Sequence, residues 1–477
     1  MKKEVLVPSH HTLGRAALLT TLLGIAASGC TNANSPSSGR PELAERWFRR
    51  AEQDFNEVKI DPAYEAIHKA LAIAPDDPEI RMLGGRIALV RLEYDESLRL
   101  LNALPGSEAA ALRGRAHWYR GDLSPAAEEF ETILDDPEVR DEWAKAVVVL
   151  ARSGGGRTPF TLSGEPRAVV EMAQVSDIAP YLVVPVEIDG DDRLALVATG
   201  IADVVVDSSN FAEPSWVSLR FKSRRIGPEL EQSSGLEVTD VPALSQDLSS
   251  ISKEVNAPIS ALIGVSMLRQ LNATIDYAGH QFIVRKDAAQ PPPSATKVPV
   301  YYGKGGGMVL STGLGGDDGA RGTLFVDSIM RFPLALDDRG WIKAGLVPGD
   351  LTPVPGDPSQ KLKGGTVPTI RLGSFRLDQV PGIYGSQVPD IEKGLQFDID
   401  GVMGAPVLAM YRMTFSDGGR VMYLEDDTEL RAIVSAPPSA AGAAPPGVGL
   451  PGPINEGQPP LGLPQLPGPA PVPGPKQ

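Results

Sequence analysis

Two short turns carry the residues that could do chemistry. Val326-Asp327-Ser328-Ile329 sets a carboxylate and a hydroxyl at the exit of an apolar strand reading Thr323 to Val326. Val197-Ala198-Thr199-Gly200 repeats the arrangement earlier, after the strand Leu194 to Val197, with alanine where the carboxylate would be. A carboxylate on a tight turn suits general acid or base work, but one carboxylate cannot hold both roles at once. Asp203 and Asp207 lie just past the first turn on the outgoing strand, and reaching its centre would require a different loop. Other chemistry is thin. Gly303-Lys304-Gly305-Gly306-Gly307 resembles a phosphate loop, yet no Gly-Lys-Ser/Thr follows, and it reads as a flexible connector. Ser208, Ser209 and Ser266 have no histidine near them in sequence. Five His and one Cys leave little material for a metal site, so neither metal nor cofactor is expected. His68 and His117 read as packing or surface residues of a helical region.

The elements that must position these turns follow from composition and periodicity. A chain of 477 residues is too long for one core, so two or three domains are expected. The net charge of −15 argues against nucleic acid or an anionic membrane surface as a partner. Residues 41–152 read as helical, with apolar residues at spacings of three and four such as Tyr64, Ile67, His68 and Leu71. The positions Ala63, Ile67, Ala70 and Pro75 are echoed by Ser97, Leu101, Leu104 and Pro105. Ala126 and Phe130 echo them again, preceded by Gly114 and Gly121. Small positions let paired helices approach while Leu101 or Phe130 fills the gap. The pattern resembles about three degenerate tetratricopeptide-type hairpins, with a plain helical bundle as the alternative.

From about residue 169 the composition changes to short β-branched runs between Gly, Pro, Asp and Asn. One plan occurs twice. The first copy runs Val183 to Ile188, a turn, Leu194 to Val197, Ala198-Thr199-Gly200, then Leu262-Ile263-Gly264, and closes on Thr274 to Tyr277 and Phe282 to Val284. The second runs Met308 to Ser311, a turn, Thr323 to Val326, Asp327-Ser328-Ile329, then Val402-Met403-Gly404, and closes on Met413 to Phe415 and Val421 to Leu424. In each, the apolar-apolar-Gly motif lets a strand thread a crossing where a side chain would clash.

This order resembles the retropepsin-like aspartic proteases, and two copies in one chain resemble a pepsin-like bilobal arrangement; an unrelated pair of β-sandwiches is the alternative. The resemblance implies two carboxylates sharing a proton and activating water between the lobes. Carried over by position, the first lobe offers Ala198 where the family has Asp, with Thr199 and Gly200 kept. The second offers Asp327 and Ser328, with Ile329 where Gly is expected. Loss of one member of such a unit should lower activity by ~10⁴ or more. Asp327 would be catalytic only if another acid stood in.

The N-terminus adds a location. Lys2 and Lys3, a short apolar run Ala16 to Ala27 and Ala27-Ser28-Gly29-Cys30 resemble a bacterial lipoprotein signal with its lipobox. Cys30 would then be the lipidated residue, and Thr31 after it points by resemblance to the outer membrane, periplasm-facing. The expected organisation is a signal at 1–30, a linker at 31–40, tetratricopeptide-like helices at 41–152 and a first retropepsin-like lobe at 169–287. A Pro-rich linker at 288–296, a second lobe at 297–430 and a Pro/Gly-rich tail at 435–477 complete it. The expected fold class is multidomain α + all-β. The expected function is a non-hydrolytic module that binds protein or an extended peptide, with helices for docking and membrane contact through the lipid alone. An active aspartic endopeptidase using Asp327 and a purely structural adaptor are the alternatives.

Overall fold

Seven helices open the structure, and local chemistry starts several of them. They are α1 (Glu42–Asn56), α2 (Ile60–Ile73), α3 (Pro78–Val90), α4 (Tyr94–Leu101), α5 (Ser107–Arg120), α6 (Leu123–Leu134) and α7 (Glu142–Ser153). Asp77 caps α3 by accepting from the backbone N–H groups of Glu79 and Ile80, with Pro78 in the first turn. Asp141 caps α7 by accepting from Ala144 N–H. Gly121 ends α5 in a left-handed conformation. Each helix packs on the next, and glycine sets the approach: a Cβ at Gly114 would stand 2.8 Å from the Phe130 ring, and one at Gly85 would stand 2.5 Å from Leu101. His68 bridges α2 and α4, its Nε2 2.8 Å from Glu96 Oε1.

This computed structural model describes residues 39–426 except 137–138, 176–178, 224–234, 305, 317–319, 355–360, 387 and 396. The chain divides after Arg40, and the architecture below belongs to the unit that begins at Pro41. The signal-like segment with Cys30, most of the 31–40 linker and the 435–477 tail lie outside the described residues. Among the described residues no helix is long and apolar enough to cross a membrane.

The β region forms two six-stranded barrels with the same strand order. In the first, Asp191–Val197 pairs antiparallel with Val183–Ile188 and parallel with Ile259–Ile263. Ile259–Ile263 pairs antiparallel with Val204–Asp207, which runs parallel to Gly235–Gln246. Ser215–Lys222 closes the ring against Gly235–Gln246 and Val183–Ile188. In the second, Ala320–Asp327 pairs antiparallel with Gly307–Leu314 and parallel with Gly401–Gly404. Gly401–Gly404 pairs antiparallel with Leu334–Leu336, which runs parallel to Phe375–Tyr384. Lys363–Leu372 closes that ring. The molecule is thus a two-lobed α+β protein.

A third sheet joins the lobes. Its six strands run Thr296–Pro299, Val421–Asp426, Tyr411–Ser416, Thr274–Asp276, Gln281–Arg285, Arg167–Glu171. The closing hairpins of both lobes therefore share one sheet, and the equivalent hydroxyls of Thr274 and Thr414 meet at 2.9 Å in its middle. Strands Thr161–Gly164 and Arg167–Glu171 begin before the start expected at 169, because both are short and too polar at their ends to show alternation.

The helices hold both lobes. The α1–α3 core is continuous with second-lobe residues including Val309, Phe325, Ile383 and Leu395, and Phe55 meets Phe397 edge-on at 6.0 Å. The α5–α7 core is continuous with Trp216 and Leu244 of the first lobe, where the Trp216 indole donates to Leu150 O at 3.0 Å.

Candidate functional site

The two triplet turns face each other and are tied together by four hydrogen bonds. Thr199 N–H donates to Ser328 Oγ at 3.0 Å, and Ser328 N–H donates to Thr199 Oγ1 at 2.9 Å. Each hydroxyl then donates to a carbonyl of the opposite strand: Thr199 Oγ1 to Val326 O at 3.0 Å and Ser328 Oγ to Val197 O at 2.7 Å. Both side chains are 1% exposed, so these bonds form without competing water. Behind each turn sits the crossing glycine. A Cβ at Gly264 would clash with the carbonyls of Ala202 and Asp203, and one at Gly404 would stand 2.6 Å from Met330 O. The chain threads where only glycine fits.

At the centre the lobes differ. Ala198 is fully buried in an apolar cluster with Tyr181, Val183, Leu196, Val205 and Leu262, and Ile329 of the second lobe packs against the same cluster. Its N–H donates to Ile263 O at 3.0 Å, so the turn keeps its place in the parallel ladder. Asp327 is half-buried and accepts from Ile329 N–H at 2.9 Å. Burial pushes its carboxyl above the ordinary range; bonds from Ile329 and Met330 oppose the rise, and the charge of Glu254 adds to it. A Cβ at Gly200 would stand 3.2 Å from Asp327 Cγ and Oδ1, so this glycine gives the opposite lobe's carboxylate its room.

The sequence-predicted residues Ala198, Thr199, Gly200, Asp327, Ser328 and Ile329 are therefore brought together, while Cys30 lies outside the described residues. Asp203 and Asp207 do not reach the centre. Asp203 is 7% exposed and faces the helices, accepting from the indoles of Trp118 at 3.1 Å and Trp143 at 2.8 Å. Burial raises its carboxyl, against the two indoles and the charges of Arg115 and Arg269. Asp207 accepts from Leu248 N–H at 3.2 Å and from the Ser209 hydroxyl. Two groups near Asp327 were not visible as site residues. Tyr181 donates its hydroxyl to Glu254 Oε1 at 3.1 Å, and burial, then Glu254 and more weakly Asp327, raise the phenol. Glu254 lies on the short helix Ser249–Val255, where nothing in Ser-Lys-Glu-Val marks it.

Two barrels of one strand order, joined by a shared sheet and by a clasp between two strand-exit turns, define a bilobal arrangement with one central carboxylate. No protein-family model and no curated protein matches the chain. Among solved structures it is similar to a retropepsin-like aspartic protease from Rickettsia conorii, at 12% identity and a TM-score of 0.21, over 28% of this chain and 95% of that one. It is also similar to Basic 7S globulin from soybean, at 10% identity and a TM-score of 0.33, over 56% of this chain and 95% of that one.

Proposed function

We propose that the two-lobed domain is an aspartic-protease-like module that has lost hydrolysis and binds protein or an extended peptide. In this reading it belongs to an exported lipoprotein anchored at Cys30, facing the periplasm at the outer membrane. Its helices, of the tetratricopeptide kind, would dock protein partners. The observation that carries it is the contrast at the site: the four-bond clasp of Thr199 and Ser328 is complete, while the first-lobe acid is Ala198 in an apolar cluster that Ile329 joins. A lone carboxylate has no like-charged partner to split acid from base. The helix faces carrying Phe55, Trp118 and Trp143 are taken by the chain's own lobes, so docking would use other helix faces. The test is cleavage of a mixed peptide library between pH 3 and 7 by wild type, Asp327→Asn and Ala198→Asp/Ile329→Gly. The expected result is no Asp327-dependent cleavage by wild type, with peptide capture intact and weak cleavage in the double variant. Wild-type cleavage abolished by Asp327→Asn would overturn the reading.

One observation favours the peptidase alternative: the charge of Glu254, whose carboxylate accepts from Tyr181, adds to the rise of the Asp327 carboxyl. A catalytic pair of Asp327 and Glu254 predicts cleavage that Glu254→Gln removes as completely as Asp327→Asn does.

A further inference from the structure

Arg269 stands where the helices and both lobes meet. It lies on the short helix Val265–Gln270 that follows the crossing Gly264, and it is 7% exposed. Its Cζ is 4.8 Å from the centre of the Tyr302 ring and 5.8 Å from that of Tyr119, one ring from the second lobe and one from α5. It also bonds to the Tyr94 hydroxyl of α4. The Tyr302 hydroxyl donates to Gly419 O at 2.7 Å, and a Cβ at Gly419 would stand 2.2 Å from Arg269 Cγ, so the second lobe's closing turn presses on the arginine stem. A guanidinium held between rings and backbone is already ordered, and little side-chain freedom is lost when a ligand arrives.

Two cavities share this arginine: Tyr119, Arg269 and Gln270 line both. The first, of about 160 Å³, runs between the end of α5 and the first lobe, against Trp118, Phe160 and Pro242. That volume is room for one six-membered ring. The second, of about 280 Å³, reaches the second lobe at Asp417 and Arg420. Three further arginines on the walls have acids of their own: Arg120 pairs with Asp122, Arg157 with Asp240 and Arg420 with Asp417. Asp203 is the acid on the first cavity's wall, and its two oxygens take the indoles of Trp118 and Trp143. The backbone of the walls is strained. Phe160 on the first cavity and Leu92 and Asp417 on the second are held at φ 58°, 61° and 52°, a left-handed conformation that L-residues seldom adopt. Such strain persists only where the surrounding structure imposes it, and ligand clamps are among its usual places.

We propose that the cavities sharing Arg269 bind a small organic carboxylate with a compact apolar body, the carboxylate on Arg269 and Gln270 and the body against Trp118, Phe160 and Pro242. The guanidinium fork matches a carboxylate with two parallel bonds, and the ring-sized space beside it takes the rest of the molecule. A free acid and the C-terminal residue of a peptide both have this chemistry. No lining residue belongs to the triplet turns, so the site stands whether or not the lobes cleave peptides. A ligand seated there touches α5 and the first lobe at once, and its binding stabilises the native chain.

The experiment is calorimetric titration and thermal denaturation of the full chain with sodium benzoate at millimolar concentration, with ionic strength held constant by chloride. Neutral benzamide, sodium sulfate and an acetylated tripeptide ending in phenylalanine, as free acid and as amide, run beside it. Saturable binding of a carboxylate with a rise in Tm is expected, weakened by about tenfold or more in the amide counterparts. Arg269→Gln should weaken it as much, and so should Gln270→Glu, an exposed position where a new carboxylate takes the ligand's place. Tighter benzoate assigns a free acid, and a tighter free-acid peptide assigns a chain terminus. Benzamide binding as tightly as benzoate, sulfate binding in place of both carboxylates, no saturable carboxylate binding, or binding unchanged in Gln270→Glu overturns the proposal. Should Arg269→Gln fail to fold, Gln270→Glu carries the test by itself.

Discussion

The two triplet turns occupy equivalent places in equivalent barrels, and one carries a carboxylate where the other carries alanine. Both follow a strand running parallel to the apolar-apolar-Gly segment, both stand over a crossing glycine, and both give a hydroxyl to the opposite strand. They part at the first residue, Ala198 against Asp327, and at the third, Gly200 against Ile329. The parts the fold needs are the ones the turns share: crossing glycine, hydroxyl, strand register. The parts that diverge, a carboxylate against a methyl group and a glycine against an isoleucine, are not needed to hold the turns in place, and Ile329 packing on the cluster around Ala198 brings the differing positions into one apolar patch.

Six substitutions would break or sharpen that equivalence. The largest effect is expected from Gly264→Ala and Gly404→Ala, which drive a Cβ into backbone carbonyls that cannot yield. Each should cost about 3 kcal/mol or more by urea denaturation, and tolerance in one lobe alone would show that the crossings are not equivalent. Thr199→Val and Ser328→Ala come next. Each removes two buried hydrogen bonds and strands their partners, for about 2–3 kcal/mol. In a double-mutant cycle the two losses should fall short of additive by roughly 1 kcal/mol, and strict additivity would deny the clasp. Asp203→Asn keeps shape but weakens what the two indoles receive, and about 1–2 kcal/mol should be lost with the change felt in Trp fluorescence. The smallest effect has the opposite sign. Burial raises the folded-state pKa of Asp327 above its reference value of 3.8, so its favourable contribution is complete below that pH and is lost as pH rises through the folded value. Asp327→Asn, which mimics the protonated acid, should therefore be more stable than wild type by about 1 kcal/mol at pH 7 and equal to it below pH 3.8. An Asn variant less stable at pH 7 would mean the ionised carboxylate is a favoured partner in the cleft.

The turns and the duplicated barrels were legible because their signals are local. Strand, small-residue turn, strand and apolar-apolar-Gly each lie within a few neighbouring residues, and their order repeats. What joins the parts was not legible. Asp203 read as a spare acid beside the turn, yet its partners Trp118 and Trp143 lie 85 and 60 residues away on other elements. Glu254 and Tyr181 are 73 residues apart and carry no pattern. The glycine-rich run 303–307 gave no hint of what it touches, because such sequence serves both slack linkers and packed turns, and only the structure shows Gly306 against Ala202 and Tyr119. Residues 161–171 are paired to strands more than 70 residues downstream, which no window of local sequence reveals.

The grip of the helices on both lobes has a consequence for how the chain acquires its structure. The apolar faces of α1–α3 and α5–α7 are synthesised first, but the surfaces that cover them come from residues as late as Val402 and from Trp216 and Leu244. The shared sheet likewise waits for Tyr411–Ser416 before Thr274–Asp276, already paired with Gln281–Arg285, gains its second neighbour. Contacts of such sequence separation slow folding and prolong the exposure of sticky intermediates. A nascent chain stopped before the second lobe is complete would present Phe55 and the other α1–α3 core residues to solvent, a ready target for chaperones and proteases.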